Sequence, residues 1–343
     1  MSLCILKRIS VGLFCMLTLV CCISCDDDAP VASGPPVEGL VIYRQGNEQQ
    51  IRLQWQPAQF AIEYRVLRAY ESRGPYHLIG QSVETNWIDT DFPASHGEPE
   101  LVFYRIAGVR EDGQQTSLSN VVGYYHFIAL GGTIAHQAVT PFGLPFLFWE
   151  HDSSGVPRYG RVSCQPSDIV RSQAICGDGI SADQIMEQYT GQLAYSECDG
   201  NWMGELESEE FMRPGQAYWY ISKSGSPVDI YLMGEVDDRG RYGEIFINDP
   251  TPLPPGCIFS TAYSWRISYP VSVQQLGLLE QGFTGGTIED SDRIVTQDGS
   301  GAFAVYLTET GQWYPDDFEV HPGIAYMIWN KHAGHKWTYD YRP

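Results

Sequence analysis

Residues 51–67 read IRLQWQPAQFAIEYRVL. Ile51, Leu53 and Trp55 alternate with Arg52, Gln54 and Gln56, the two-residue period of a strand with one face in a core and the other in water. The next strand, YRVLR, begins at Tyr64 and carries Val66 and Leu67. Further on, Asn86–Thr90 (NWIDT), Phe103–Val109 (FYRIAGV) and Ser119–Val122 (SNVV) extend the series. Turn signals recur between these pieces from Pro36 to about Tyr125. With 35 Gly, 21 Pro and 21 Tyr, the chain leans towards short strands and turns rather than long helices. A mainly β fold is the expectation, and 343 residues at about 150 per domain allow roughly two domains plus extras.

The order of these pieces resembles a fibronectin type III domain. It has Pro at the start, one Trp on the second strand (Trp55) and Tyr-x-Val-x-Arg on the third. The Asp89-Thr90 corner follows, then Tyr-x-Ile-x-x-Val from Tyr104 on the sixth strand and Ser-Asn-Val-Val on the last. The resemblance covers residues 36–125. It implies a seven-stranded immunoglobulin-like sandwich in which Trp55 and Tyr104 are core anchors. No cysteine lies between Asp26 and Ser163, which suits two sheets held by apolar packing rather than by a disulfide. No Arg-Gly-Asp tripeptide occurs. The fold implies no activity, and bacterial copies of the family serve as spacers or interaction modules.

Beyond residue 126 the organising feature is an internal repeat. Ser181-Ala182-Asp183-Gln184-Ile185 recurs as Asp290-Ser291-Asp292-Arg293-Ile294, and Gly200-Asn201-Trp202 as Gly311-Gln312-Trp313. Arg213-Pro214-Gly215-Gln216-Ala217-Tyr218 recurs as His321-Pro322-Gly323-Ile324-Ala325-Tyr326. The offsets are 109, 111 and 108 residues. That period is too long for a solenoid of about 20 to 50 residues per repeat, so each copy is a small domain or half-domain. Copy 1 spans 126–248 and copy 2 spans 249–343, joined by the Pro-rich linker Val236–Gly256. Each should begin with an apolar strand. A short helix or turn follows (residues 166–174 and 272–281), and then the Asp-x-Ile strand, a hairpin and a Pro-Gly turn before an aromatic strand. The succession is similar to paired repeats in bacterial secreted and surface proteins, which implies architecture and no catalytic role.

The N-terminus reads as an address. Lys7 and Arg8 precede the apolar run Ile9–Ser24, which is short for a membrane-spanning helix of about 20 residues. The segment resembles the lipobox of bacterial lipoproteins, with Cys25 as the lipidated first residue after a signal peptide over 1–24. Cys22 stands where that pattern prefers Leu, and Cys21 and Cys22 are rival acceptors with bulkier residues before them. The alternatives are a plain signal peptide or an uncleaved anchor. Asp26, Asp27 and Asp28 resemble the surface-export signal of Bacteroidetes lipoproteins, or simply begin a solvated spacer. Residues 25–35 form an acidic, Pro-rich tether. The expected location is the bacterial cell envelope, in the outer membrane or at the cell surface.

Chemistry-bearing motifs are sparse. A formal net charge of −21 repels phosphate backbones, so a nucleic-acid partner is not expected. No G-x-S-x-G, H-E-x-x-H, P-loop or Gly-x-Gly-x-x-Gly motif occurs, and no cofactor is implied. Cys164, Cys176, Cys198 and Cys257 are an even set without C-x-x-C spacing, which favours two disulfides over metal. His321, His332 and His335 with Asp340 could hold a metal, but a polar hairpin tip explains them as well. Asp183 and Asp292 could be paired glycosidase acids, or could cap local turns through Asx hydrogen bonds. Glu235-Val236-Asp237-Asp238 lacks the spacing of a calcium loop. Seven of the nine Trp lie in the repeated region. Trp202 and Trp313 recur in both copies, and they either plug the core or stack on a carbohydrate or protein partner.

These observations set the expectation of a non-catalytic, exported, lipid-anchored protein. A fibronectin-type spacer would present the duplicated module to a protein or a polysaccharide. A glycan-active hydrolase and a purely structural envelope component are the competing readings.

Overall fold

The computed structural model describes residues 34–44, 50–90, 100–236 and 259–330. Short stretches are excepted, at 134–135, 147–148, 152–156, 163–165, 167–169, 172–175, 189–190, 198–200, 209–211, 213–215, 265–268, 281, 298–299 and 316. The described chain is mainly β, built from antiparallel sheets. Its first seven strands are β1 (Val41–Arg44), β2 (Ile51–Gln54), β3 (Ala61–Ala69), β4 (His77–Ser82), β5 (Asn86–Asp89), β6 (Glu100–Arg110) and β7 (Val122–Ala129). One sheet has the order β1-β2-β5, and the facing sheet runs β4-β3-β6-β7. This is a fibronectin type III-like arrangement.

The alternation in β2 is realised as expected. Ile51 and Leu53 are fully buried and Trp55 is 3% exposed, set edge-on against Tyr64 with ring centroids 5.3 Å apart. Val66, Tyr104 and Ile106 complete the same core from the facing sheet. The Asp89 corner does more than shape a turn. Its buried carboxylate accepts hydrogen bonds from the Tyr104 hydroxyl at 2.8 Å and from an Arg68 guanidinium nitrogen at 2.9 Å. Asp89 lies on one sheet and both donors on the other, so one acid bridges the sandwich. A carboxylate is tolerated there because charged and hydroxyl donors replace its water. Burial, reinforced by the Asp89 charge, holds the Tyr104 phenol well above its usual range.

Nine further strands follow: β8 (Ala138–Gly143), β9 (Trp149–His151), β10 (Pro157–Val162), β11 (Val170–Arg171), β12 (Gln184–Glu187), β13 (Leu193–Ser196), β14 (Trp202–Gly204), β15 (Ala217–Ser222) and β16 (Val228–Glu235). The boundary expected between residues 125 and 126 falls inside β7. The sandwich is also not closed at β7, because β16 pairs with that strand along its whole length, from Val228 opposite Ala129 to Glu235 opposite Val122. β11 then adds to β16. The physical reason is edge protection: an unpaired eight-residue edge would expose a row of backbone donors and acceptors. His126, buried on β7, adds a 2.9 Å contact to Asp229 across this seam. The helix or turn expected over 166–174 is partly replaced by β11.

The third set of strands is β17 (Phe259–Ser264), β18 (Val271–Ser272), β19 (Arg293–Thr296), β20 (Phe303–Leu307), β21 (Gln312–Tyr314), β22 (Glu319–Val320) and β23 (Ala325–Asn330). A 3-10 turn at Gln274–Leu276 occupies part of the expected 272–281 element and ends at Gly277 in the left-handed conformation, φ 64°.

Two five-stranded sheets share one connectivity. The first has the order β14-β13-β12-β15-β8 and the second β21-β20-β19-β23-β17. The pairing register matches as well. Ile185 lies opposite Ala194 and Tyr220, while Ile294 lies opposite Ala304 and Ile328. Tyr218 pairs with Phe142, and Tyr326 with Tyr263. Trp202 pairs with Ser196, and Trp313 with Tyr306. Residues in equivalent positions also touch one another. Gln297 Nε2 donates to Gln188 Oε1 at 3.0 Å, and Ala217 and Ala325 form a buried pair. Ahead of β23, Gly323 sits against Tyr125 of β7, and its carbonyl accepts from the Gly143 amide at 2.8 Å.

Candidate functional site

The two recurring tryptophans have different surroundings. Trp202 on β14 is 4% exposed and shares a core with Phe142, Ile185, Leu206, Met212 and Tyr218. Trp313 on β21 is half-buried and packs on its cluster from the margin. Phe283 lies 5.2 Å from it and Tyr306 5.6 Å, the latter edge-on.

The cause is local sequence. Twelve positions separate Trp202 from Pro214, but nine separate Trp313 from Pro322. The longer segment forms the short helix α1 (Glu205–Ser208), and its buried Leu206 joins the Trp202 core. Four residues after Trp313 the corresponding position is Asp317, which is exposed. Its carboxylate accepts the Gln274 amide at 2.8 Å and so fixes the turn before β22 to the 3-10 turn. Where the first sheet carries an apolar cover, the second leaves an opening.

That opening is a cleft of about 560 Å³, inside the roughly 300–1,000 Å³ range of small-molecule sites. Trp313 and Tyr306 supply aromatic surface, Leu278 and Leu279 line the apolar side, and Gln274, Glu280, Gln312 and Asp317 supply polar groups. The two carboxylates and two amides can accept and donate hydrogen bonds around an aromatic patch. Among the described lining residues there is no basic side chain.

The repeated acids are consumed by the fold. Asp183 is fully buried and accepts from the Tyr220 hydroxyl at 2.8 Å and the Lys223 amide at 2.7 Å. Asp292, equally buried, accepts from the Thr284 amide at 2.8 Å. Local Asx caps were one expectation. Instead each acid ties its sheet to backbone some way off in sequence, Asp183 forty residues ahead and Asp292 eight residues back. Neither lines the cleft.

Of the remaining candidates, Cys176 is half-buried within the described residues, whereas Cys25, Cys164, Cys198 and Cys257 lie outside them. His321 is partly exposed and 3.7 Å from Glu319, and His332, His335 and Asp340 lie outside. Among the described residues no group of three or more ligating side chains is arranged for a metal, and no helix is long and apolar enough to cross a membrane. Sequence reasoning missed Tyr306, Gln274, Gln312 and Asp317. Only the unequal spacing after the two tryptophans signalled that the two sheets differ there.

No family model matches the chain, and no curated protein matches it. Among solved structures it is similar to a Fn3-like protein from Clostridium thermocellum, at 28% identity over 26% of this chain and 90% of that one, with a TM-score of 0.23. The fibronectin type III-like description rests on the strand order of β1 to β7 themselves.

Proposed function

We propose that this chain is an exported, non-catalytic binding protein of the bacterial cell envelope, lipid-anchored through Cys25. In this reading the fibronectin type III-like sandwich is a spacer, and the two five-stranded sheets are copies of one duplicated unit that engages a protein or polysaccharide partner. The observation that carries it is the asymmetry between the sheets. Their connectivity and register match, yet one tryptophan is sealed in a core and the other lines an open cleft with polar groups around it. Duplicating a unit and opening one copy gives a scaffold and a contact surface.

A binding role is further supported by the burial of Asp183 and Asp292 in fold-holding bonds, which leaves neither repeated acid open to a substrate. The anchor is supported by Lys7, Arg8 and the apolar run ending at Cys25. Disulfide stapling of the first unit belongs to the same proposal, supported by the even set Cys164, Cys176, Cys198 and Cys257 without C-x-x-C spacing.

The test is expression of the full chain in a bacterial host fed a radiolabelled fatty acid, followed by fractionation and protease shaving of whole cells. Label on the protein, loss of label and membrane association in Cys25→Ala, and cleavage on intact cells support the reading. Unlabelled protein that stays in the cytosol defeats it.

A further inference from the structure

We infer that the Trp313 cleft is a subsite for a neutral glycan, with a pyranose ring laid against Trp313 and its hydroxyls held by Gln274, Glu280, Gln312 and Asp317. The inference rests on the binding role proposed above and names the ligand class of that one site.

Three properties of the cleft select the ligand. First, its floor is aromatic, with Trp313 braced by Phe283 at 5.2 Å and Tyr306 at 5.6 Å. A braced ring has little rotamer freedom left to lose on binding, which favours a rigid amphipathic partner. A pyranose has such a face, with C–H groups on one side and hydroxyls around its rim. Second, the polar groups are of mixed sense: Glu280 and Asp317 accept, while Gln274 and Gln312 both accept and donate. Hydroxyls match that set because each is donor and acceptor at once. A purely apolar ligand would leave these groups stripped of water without compensation. Third, two carboxylates and no basic side chain among the described lining residues oppose a uronate, sulfate or phosphate ligand, and the −21 net charge adds to the repulsion.

A basic peptide also meets the charge requirement. Its cationic side chains are donors only, however, and leave the amide donors of Gln274 and Gln312 unmatched by the groups that meet the carboxylates, whereas each pyranose hydroxyl both donates and accepts. The sealed Trp202 has no such opening, so of the two recurring tryptophans only Trp313 offers a subsite.

The test is affinity electrophoresis of the full chain in gels containing a neutral β-glucan, a mannan or a galactan, with alginate as the polyanion and poly-lysine as the basic peptide. The variants are Trp313→Ala, Gln312→Ala and Glu280→Ala, with thermal melts run alongside. Gln312 and Glu280 are exposed, so their truncation leaves the fold intact even if Trp313→Ala disturbs it. At least one neutral glycan should retard the wild type. Loss of the stacking ring should weaken that retardation about tenfold or more, and each rim variant should weaken it measurably with an unchanged melt. Retardation that is equal in wild type and variants would place any glycan contact elsewhere and overturn the inference. Binding of poly-lysine alone would overturn it while leaving the anchored binding protein standing. Retardation by none of the probes overturns it too, and fatty-acid labelling then decides separately whether the wider reading survives.

Discussion

Gly323 should be the position at which the second five-stranded sheet is most sensitive to a single added methyl group. Its φ is +78°, and a Cβ placed there would lie 2.5, 2.7 and 2.8 Å from three carbons of the Tyr125 ring. Tyr125 is 4% exposed, stacked on Phe127 at 5.4 Å, and part of the core that also contains Phe142 and Tyr218. The ring therefore cannot swing aside without disturbing close-packed neighbours. Gly323→Ala carries two penalties, the left-handed backbone and the steric overlap. Gly191 isolates the first, since its φ is +75° and a methyl group added there would meet nothing within 4 Å. The loss of unfolded-chain entropy from Gly to Ala is common to both sites and cancels. The difference between Gly323→Ala and Gly191→Ala is thus the overlap alone, about 1–3 kcal/mol by analogy with overpacked cores. For a unit of this size that corresponds to roughly 2–4 °C in Tm per kcal/mol. Thermal and urea melts followed by tryptophan fluorescence and by far-ultraviolet dichroism would measure it, with two probes because several sheets need not unfold in one step. If the two alanine variants lose equal stability, the Pro322-Gly323 turn is not seated on Tyr125, and the docking of the second sheet described above is wrong.

Other expectations follow from the same contacts. Trp55→Ala removes a side chain 3% exposed and should cost roughly 3–5 kcal/mol in urea unfolding of the sandwich. Asp89→Asn removes the charge that the Arg68 guanidinium and the Tyr104 hydroxyl both bond and should cost roughly 3 kcal/mol in the same assay; a negligible loss would mean that the bridge between the sheets is solvated. Trp202→Ala should destabilise the chain far more than Trp313→Ala, because only the first is fully enclosed, and differential scanning calorimetry of the two variants compares them directly. The Asp178 carboxylate is held below its usual range by hydrogen bonds from the Ser181 side chain and from the Ser181 and Ile180 amides. Its stabilising contribution is therefore present above the ordinary carboxylate pKa and fades as pH falls through the lowered value. The stability gap between wild type and Asp178→Asn should close in acid, as read from melts across that range.

The fold was legible wherever a local pattern carried the information. The alternation of Ile51, Leu53 and Trp55 predicted its own burial, and the ordered pieces from Tyr64 to Val122 named two sheets. What the sequence hid were pairings between distant strands. Nothing in VDIYLMGE, residues 228–235, announces that it will complete the sheet of β7 about a hundred residues earlier, because edge pairing uses backbone groups that every residue has. The roles of the acids were hidden for a related reason. Asp89 and Asp183 looked like local turn residues, but their donors, Arg68, Tyr104, Tyr220 and the Lys223 amide, come from elsewhere in the fold. The cleft was half legible: the recurrence of Gly-x-Trp marked both tryptophans, while the difference between Leu206 and Asp317 mattered only once the strands were in register.

The contacts between equivalent residues constrain how the two sheets are arranged. In an isologous interface the same patch serves both sides, so residues at matching positions meet. Gln188 meets Gln297 and Ala217 meets Ala325, so the two sheets touch through residues at matching positions of their register. At such a contact small or self-complementary side chains are favoured: two alanines pack closely, and two amides can each donate and accept. Away from that contact the two sheets differ. There one has α1 with Leu206 over its tryptophan, and the other has Asp317 beside an open cleft. Contact at matching positions together with different surroundings for Trp202 and Trp313 is what a paired scaffold allows, because the shared interface holds the two sheets while the cover over one tryptophan can be open.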